Sequence, residues 1–322
     1  VAVSSTGTDN RVMTSPDGIE WTSQISATNN NWSSVTYGKG IFVAVSYFGS
    51  DTDDDDEYGP PICENRVMTS PDGIVWTSQT SATNNDWYGV TYGKGIFVAV
   101  GSSQILETDS VMTSPDGIEW TSQTSAADNY WSSVTYGKGI FVAVCPWGRE
   151  NGVMKGVMTS PDGIKWTSQT SVGDYWVSVT YGDGIFVAVS YSGTGHGNGH
   201  RQPGKIGNGQ WCSDGIVWTS QTSAVMTSPD GIKWTSQTSA TNNWGGVTYG
   251  NGIFVAVSTT GTNNDWYSVA YGNGIFVAVS YSVTDTGVMT SPDGIAWTSQ
   301  TSAAKNNWRS VTYGNGIFVA VS

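Results

Sequence analysis

Two sequence modules that alternate along the chain, a strand-forming composition and closely spaced turn signals together predict an all-β fold: a β-propeller of four-stranded antiparallel blades. The first module reads W-x-S-V-T-Y-G-x-G-I-F-V-A-V and begins at Trp32, Trp87, Trp131, Trp176, Trp244, Trp266 and Trp308. The second reads V-M-T-S-P-D-G-I-x-W-T-S-Q, with its tryptophan at Trp21, Trp76, Trp120, Trp166, Trp234 and Trp297. A degenerate seventh copy, Cys212-Ser-Asp-Gly-Ile-Val-Trp218, lacks the Val-Met-Thr lead. Where the two modules alternate cleanly the period is about 44–55 residues, close to the length of a propeller blade. The apolar residues, 38% of 322, are chiefly Val, Ile, Phe, Trp and Tyr, types that suit pleated, half-buried surfaces. The 41 glycines, with many Ser, Thr and Asn, supply frequent turns.

Each module reads as a hairpin. In the first, Ser34 and Thr36 share one face while Val35 and Tyr37 share the other, Gly38-Lys39-Gly40 reverses the chain, and Ile41 to Val45 is apolar throughout. A short run without alternation is the pattern of a strand covered on both faces. In the second, Val12 to Thr14 leads into a Pro-Asp-Gly turn, after which Ile19 and Trp21 share a face. No segment has helical period. Four short strands joined by tight turns and repeated about seven times specify a propeller.

The segment Ser15-Pro16-Asp17-Gly18-Ile19-Glu20-Trp21 resembles the Asp-box of bacterial-neuraminidase-type repeats, found in sialidases, sortilin-type receptors and photosystem II assembly factor propellers. Here one residue fewer separates the aspartate from the glycine. The copies carry Asp72, Asp116, Asp162, Asp214, Asp230 and Asp293. The resemblance covers the whole chain and implies that the box lies on the turn between the third and fourth strands of a blade. W-x-S-V-T-Y-G is then the inner strand A, G-I-F-V-A-V strand B, V-M-T strand C and W-T-S-Q strand D. The A–B and C–D turns fall on one side of the disc, the B–C loops and D–A crossovers on the other. Strands C and D at residues 12–24 complete the blade whose A and B strands are residues 308–322, which removes open sheet edges. Seven blades are expected, with an irregular region at about 190–265, where two C–D modules and then two A–B modules run together. Six regular blades are the alternative. One domain spans 1–322, and the opening Val-Ala-Val, which reads as the tail of a repeat, predicts that it is a piece of a longer chain.

Charge and cysteine content exclude several classes. Thirteen Lys and Arg against 26 Asp and Glu give a net charge of −13, without the basic footprint that nucleic acid or an anionic membrane surface requires. No apolar run is long enough for a membrane-spanning helix. Cys63, Cys145 and Cys212 have no metal-type spacing. Glycoside hydrolysis needs paired carboxylates, and the sialidase resemblance would also require an arginine cluster. The five arginines, Arg11, Arg66, Arg149, Arg201 and Arg309, are scattered, so no enzyme is expected.

The box residues suit a structural role, since Ser and Asp side chains accept hydrogen bonds from nearby backbone N–H groups and fix a turn. The tryptophans that open the A strands, Trp32, Trp87, Trp131, Trp176, Trp244, Trp266 and Trp308, follow Asn or Asp in most repeats. They admit two readings: aromatic plates for a sugar, or packing between neighbouring blades. The B–C loops vary most, and the longest are 46–65, 145–156 and 190–211. In the first, Asp51, Asp53 and Asp55 read either as hard-oxygen ligands for Ca²⁺ or as a solvated acidic run. His196 and His200 share a glycine-rich loop that is not helical, so they read as part of a linker. The expected function is non-catalytic recognition of a glycan or protein, at the cell surface or outside the cell. The alternative is a purely structural repeat that contacts neighbouring domains or subunits of a larger assembly.

Overall fold

The structure, a computed structural model, describes residues 11–47, 65–102, 109–146, 149–150, 153–154, 156–171, 175–191, 225–237, 243–259, 265–281 and 286–322. Every described regular element is a strand. Sector 1 of the ring pairs Trp32–Gly38, Ile41–Ser46, Val67–Ser70 and Thr77–Gln79 in that order, all antiparallel. Sectors 2, 3, 4 and 6 repeat this arrangement, with inner strands Asp86–Gly93, Ser133–Gly137, Trp176–Gly182 and Trp266–Gly272. In sector 7 the N-terminal Val12–Ser15 pairs with Ile317–Val321, so the two ends of the chain close the ring as expected.

Seven inner hairpins line the channel, and six of them carry outer strands. Sector 5 is the hairpin Trp244–Gly250 and Ile253–Ser258, alone among the described residues. Among the described residues six blades are therefore built, as in the alternative count, and the two-stranded hairpin holds a seventh position in the ring. The irregularity follows from module order. Val225–Ser228, the second of the two adjacent C–D modules, pairs with sector 4, while the degenerate module with Asp214 lies outside the described residues.

The inner hairpins interlock through the Tyr-Gly pair that ends each A strand. The ring of Tyr92 lies over Gly38, where a Cβ would come within 2.1 Å of the tyrosine Cγ. The same contact joins Gly93 to Tyr136, Gly137 to Tyr181, Gly182 to Tyr249, Gly250 to Tyr271, Gly272 to Tyr313 and finally Gly314 to Tyr37. Seven contacts thus close the circle. Each tyrosine also tilts against the phenylalanine of its own B strand, with ring centroids 4.7 Å apart for Tyr37 and Phe42. Hydroxyls add rungs between sectors: Val90 N–H donates to Ser34 Oγ (3.2 Å) and Val35 N–H to Ser310 Oγ (3.3 Å).

The box turns have the hydrogen bonding their residue types predict. Ser15 Oγ accepts from Gly18 N–H (2.7 Å), Asp17 Oδ1 accepts from Ile19 and Glu20 N–H (2.9 and 3.0 Å), and Trp21 Nε1 donates to the Gly18 carbonyl (2.9 Å). The boxes of Asp72, Asp116, Asp162, Asp230 and Asp293 repeat it. Gly18 has φ 78°, a left-handed conformation natural to glycine. Lys39 Nζ donates to the Pro115 carbonyl of the next sector (2.9 Å), so A–B and C–D turns do share one face of the disc.

Two predictions follow from these contacts. Gly93→Ala, which drives a methyl into Tyr136, is expected to cost about 3 kcal/mol by overpacking. Gly95→Ala, in open space at φ 84°, costs about 1 kcal/mol of backbone strain; denaturant midpoints of the two variants should rank accordingly. Backbone N–H donors hold the Asp72 carboxyl below its usual 3.8, and the five other described boxes behave alike. A depressed folded-state value adds stability above pH 3.8 that is lost as pH falls through the folded values. Thermal unfolding from about pH 5 down to about pH 2 should therefore show a falling midpoint, with a shallower slope in Asp72→Asn.

Candidate functional site

The second residue of the W-x-S motif is where the frame becomes a site. In sectors 1, 2, 4, 5 and 6 the register of the inner hairpin shifts between the tryptophan and the residue two places on, for example between Trp32 and Ser34. Such a bulge re-aims the intervening side chain. The residues at this position are Ser33, Tyr88, Ser132, Val177, Gly245, Tyr267 and Arg309, and all seven line one central funnel of about 1170 Å³. The motif is otherwise nearly constant, so the chain varies most at one of the positions that line the cavity; the next position, Ser34 and its counterparts, also lines it and is Ser or Gly.

The funnel opens on the crossover face and is asymmetric. Tyr47, at the end of strand B in sector 1, stacks on Tyr88 (5.7 Å between centroids, 22°), and Tyr88 meets Tyr130 at 4.2 Å. On the other flank Tyr267 and Tyr281 lie 5.4 Å apart. The Arg309 guanidinium bridges the two groups, with Cζ 4.7 Å from the Tyr47 centroid, 4.8 Å from Tyr281 and 6.0 Å from Tyr267. Val177, Gly245 and Gly246 place no phenol on their part of the wall, where Tyr175 and Tyr191 of sector 4 line the cavity. Tyr175, on the rim, is 42% exposed and holds φ 65°, an uncommon conformation for a bulky residue.

The electrostatics favour neutral phenols beside one cation. Burial pushes the Tyr88 hydroxyl up to about 12, partly offset by its hydrogen bond with Tyr130. Tyr130 and Tyr191 are raised further, by burial first and then by Tyr88 and Tyr267 respectively. Tyr47 is raised by burial against the opposing pull of Arg309. Asp86, which also lines the funnel, pairs with Arg66 at 2.5 Å. Asp128 lies on the rim.

The sequence-predicted sites fall elsewhere. Trp32, Trp87, Trp131, Trp176 and Trp308 are at most 1% exposed and pack into the core between sectors, so no indole face is open to a ligand. Trp87, for instance, joins a cluster with Val45 and Val67 of the preceding sector. Trp244 and Trp266 are partly exposed and line a separate cavity at the rim of the disc. Asp51, Asp53 and Asp55, both histidines, Cys63 and Cys212 lie outside the described residues; Cys145 is buried. Among the described residues no group of three His, Cys, Asp or Glu side chains is placed to hold a metal. Sequence reasoning missed the funnel, although its signal was present: within a motif repeated almost verbatim, one position changes from Ser to Tyr, Val, Gly or Arg.

No protein-family model and no curated protein sequence matches the chain. Solved structures do match over nearly its full length. The computationally designed Ika8 protein is 9% identical, with 99% of this chain and 96% of that one covered at a TM-score of 0.58. YCF48 bound to D1 peptide is 12% identical, with 100% and 97% covered at 0.55. The WD40 β-propeller domain of Doa1 is 11% identical, with 98% and 97% covered at 0.55. At these identities the likeness establishes the fold: the chain is a β-propeller.

Raised phenol values carry a stability consequence. A folded-state pKa above the unfolded value of about 10 contributes stability that is complete below pH 10 and lost as pH rises through the folded values. Alkaline absorbance titration of the native chain should leave a fraction of the tyrosines un-ionised well past pH 10, and Tyr88→Phe should reduce that fraction.

Proposed function

We propose that the chain is a non-catalytic recognition propeller whose central funnel binds an extended segment of a protein partner. The observation that carries this reading is the continuous arc of tyrosines closed by Arg309 around the cavity of about 1170 Å³. Planar phenol faces offer stacking surface to peptide groups and side chains at little entropic cost, because each tyrosine has few rotatable bonds. Hydroxyls and the guanidinium add directional hydrogen bonds. Among the described residues Arg309 is the only cation lining the funnel, which favours a ligand segment with a carboxylate near its middle or end. A propeller of the same fold, YCF48, was solved bound to D1 peptide, which supports peptide binding as work this architecture can do.

Selection of a random peptide library on the purified chain tests the reading. Enriched peptides are expected to carry acidic and aromatic residues. Arg309→Gln or Tyr88→Ala should each weaken them by about 1–2 kcal/mol, roughly 5- to 30-fold. Failure to enrich any peptide, together with binding on a glycan array that the same substitutions abolish, would replace the protein ligand with a sugar.

A further inference from the structure

Tyr88 and Tyr130 make the tightest tyrosine pair described in the funnel. Their ring centroids lie 4.2 Å apart at 35°, against 5.7 Å for Tyr47 and Tyr88 and 5.4 Å for Tyr267 and Tyr281. The two hydroxyls meet as well: that of Tyr130 donates to the Tyr88 oxygen, which also accepts from Ser102.

Both rings stand on anchored backbone. Tyr88 follows Trp87, which is fully enclosed, on the inner strand Asp86–Gly93. Tyr130 precedes Trp131, which is equally enclosed and whose N–H donates to the Gly101 carbonyl of sector 2 (3.1 Å). One phenol therefore belongs to sector 2 and the other to the crossover into sector 3. Both line the funnel and are partly exposed, so a small oxidant reaches them from solvent.

Paired phenols of this kind have a particular chemistry. Loss of one electron and one proton leaves a phenoxyl radical, with its spin on the oxygen and on the ortho and para carbons. In tyrosine the para carbon carries the side chain, so two radicals join through ortho carbons, and the product bears its hydroxyls on either side of the new bond. Hydroxyls already in contact bring those carbons together. Coupling then needs no chance encounter, because the fold holds the partners in place.

We propose that Tyr88 and Tyr130 form a modification site, at which a peroxide couples the two phenols into a dityrosine staple between sectors 2 and 3. The O–O bond of the oxidant takes up one electron from each phenol; hydrogen peroxide then leaves as water, with the two protons, and peroxodisulfate leaves as sulfate. The radicals form one carbon–carbon bond, and each ortho hydrogen moves to its ring oxygen, which restores both hydroxyls. The chain loses two hydrogen atoms in all. The staple ties two points far apart in sequence and so restricts the unfolded ensemble. It concerns the covalent state of the funnel wall and does not depend on what the funnel binds.

The test exposes the intact chain, dilute enough that chains rarely meet, to peroxodisulfate split by a light pulse. Monomer is then isolated, its dityrosine emission recorded, and its digest searched by mass spectrometry. The expected product is a linked peptide that joins Tyr88 to Tyr130 and is two hydrogens lighter than its parts. Tyr88→Phe and Tyr130→Phe keep the rings but lack one phenol, and each should remove most of the monomer's emission, whereas Tyr281→Phe should leave it unchanged. Unfolding the unmodified chain in urea before the pulse should remove the linked peptide too, since proximity comes from the fold. Any of three results overturns the proposal: monomer without that peptide, emission unchanged in Tyr130→Phe, or equal yield of the linked peptide in urea.

Discussion

The structure depends on a steric fit between neighbouring sectors, made by the Tyr-Gly pair at the end of every inner strand: the tyrosine of one sector lies over the glycine of the sector before it. A phenol ring can lie across the neighbouring strand only where that strand presents no Cβ, and Gly38 and its six counterparts provide the gap. The contact sets the lateral distance between sectors at the narrow end of the channel. Because it is made seven times with nearly identical geometry, the errors that would prevent closure do not accumulate, and Tyr37 reaches Gly314. The serine rungs and the lysine latches act on sectors already held at the right spacing.

From this frame the character of the funnel follows. Interlock occupies the tyrosine of each inner hairpin, and core packing encloses the leading tryptophan of sectors 1, 2, 3, 4 and 7. What remains is the residue after the tryptophan, the residue that leaves strand B, and the crossover residues that precede the tryptophan, Tyr130 and Tyr175 among them. Chemistry at these places is unconstrained by packing, and the chain places Tyr88, Tyr267 and Arg309 there alongside Ser33, Val177 and Gly245. Uneven occupancy makes a nearly symmetric ring into an asymmetric cavity, with tyrosines around much of it and the charge of Arg309 on one side. The raised phenol values belong to the same arrangement, because side chains crowded over a channel mouth exclude water from one another.

Much of the fold was legible in the sequence because each strand carries its own instructions. Alternation in Ser34 to Tyr37, the unbroken apolar run from Ile41 to Val45 and the hydrogen-bonding residues of the Ser15–Gly18 turn specify conformation through local chemistry. Faces and ring closure then follow from chain direction. The site was less legible, for a physical reason: a bulge inverts the expected facing of one residue, and no local pattern announces it. The leading tryptophans illustrate the converse. Their neighbouring Asn and Asp residues suggested a wet surface, yet Asn31 instead accepts a hydrogen bond from Arg11 (3.1 Å), and the indole of Trp32 is enclosed. The blade count was readable only as module order, since neighbouring C–D modules compete for the same kind of B strand.

That competition has a kinetic side. Outer strands of almost one sequence fit any inner hairpin almost equally well, so contact energy alone discriminates weakly between the correct partner and a neighbour's. Selection among pairings falls instead to the connecting segments, through the entropy of closing short loops before long ones. The strand that closes the ring, Val12–Ser15, is made before every other described strand and finds its partner in Ile317–Val321, about 300 residues later. During synthesis it therefore meets several equivalent hairpins before its own exists. Accurate assembly requires that such early pairings be weak enough to dissociate, and repeat uniformity is limited by the time the chain has to correct itself.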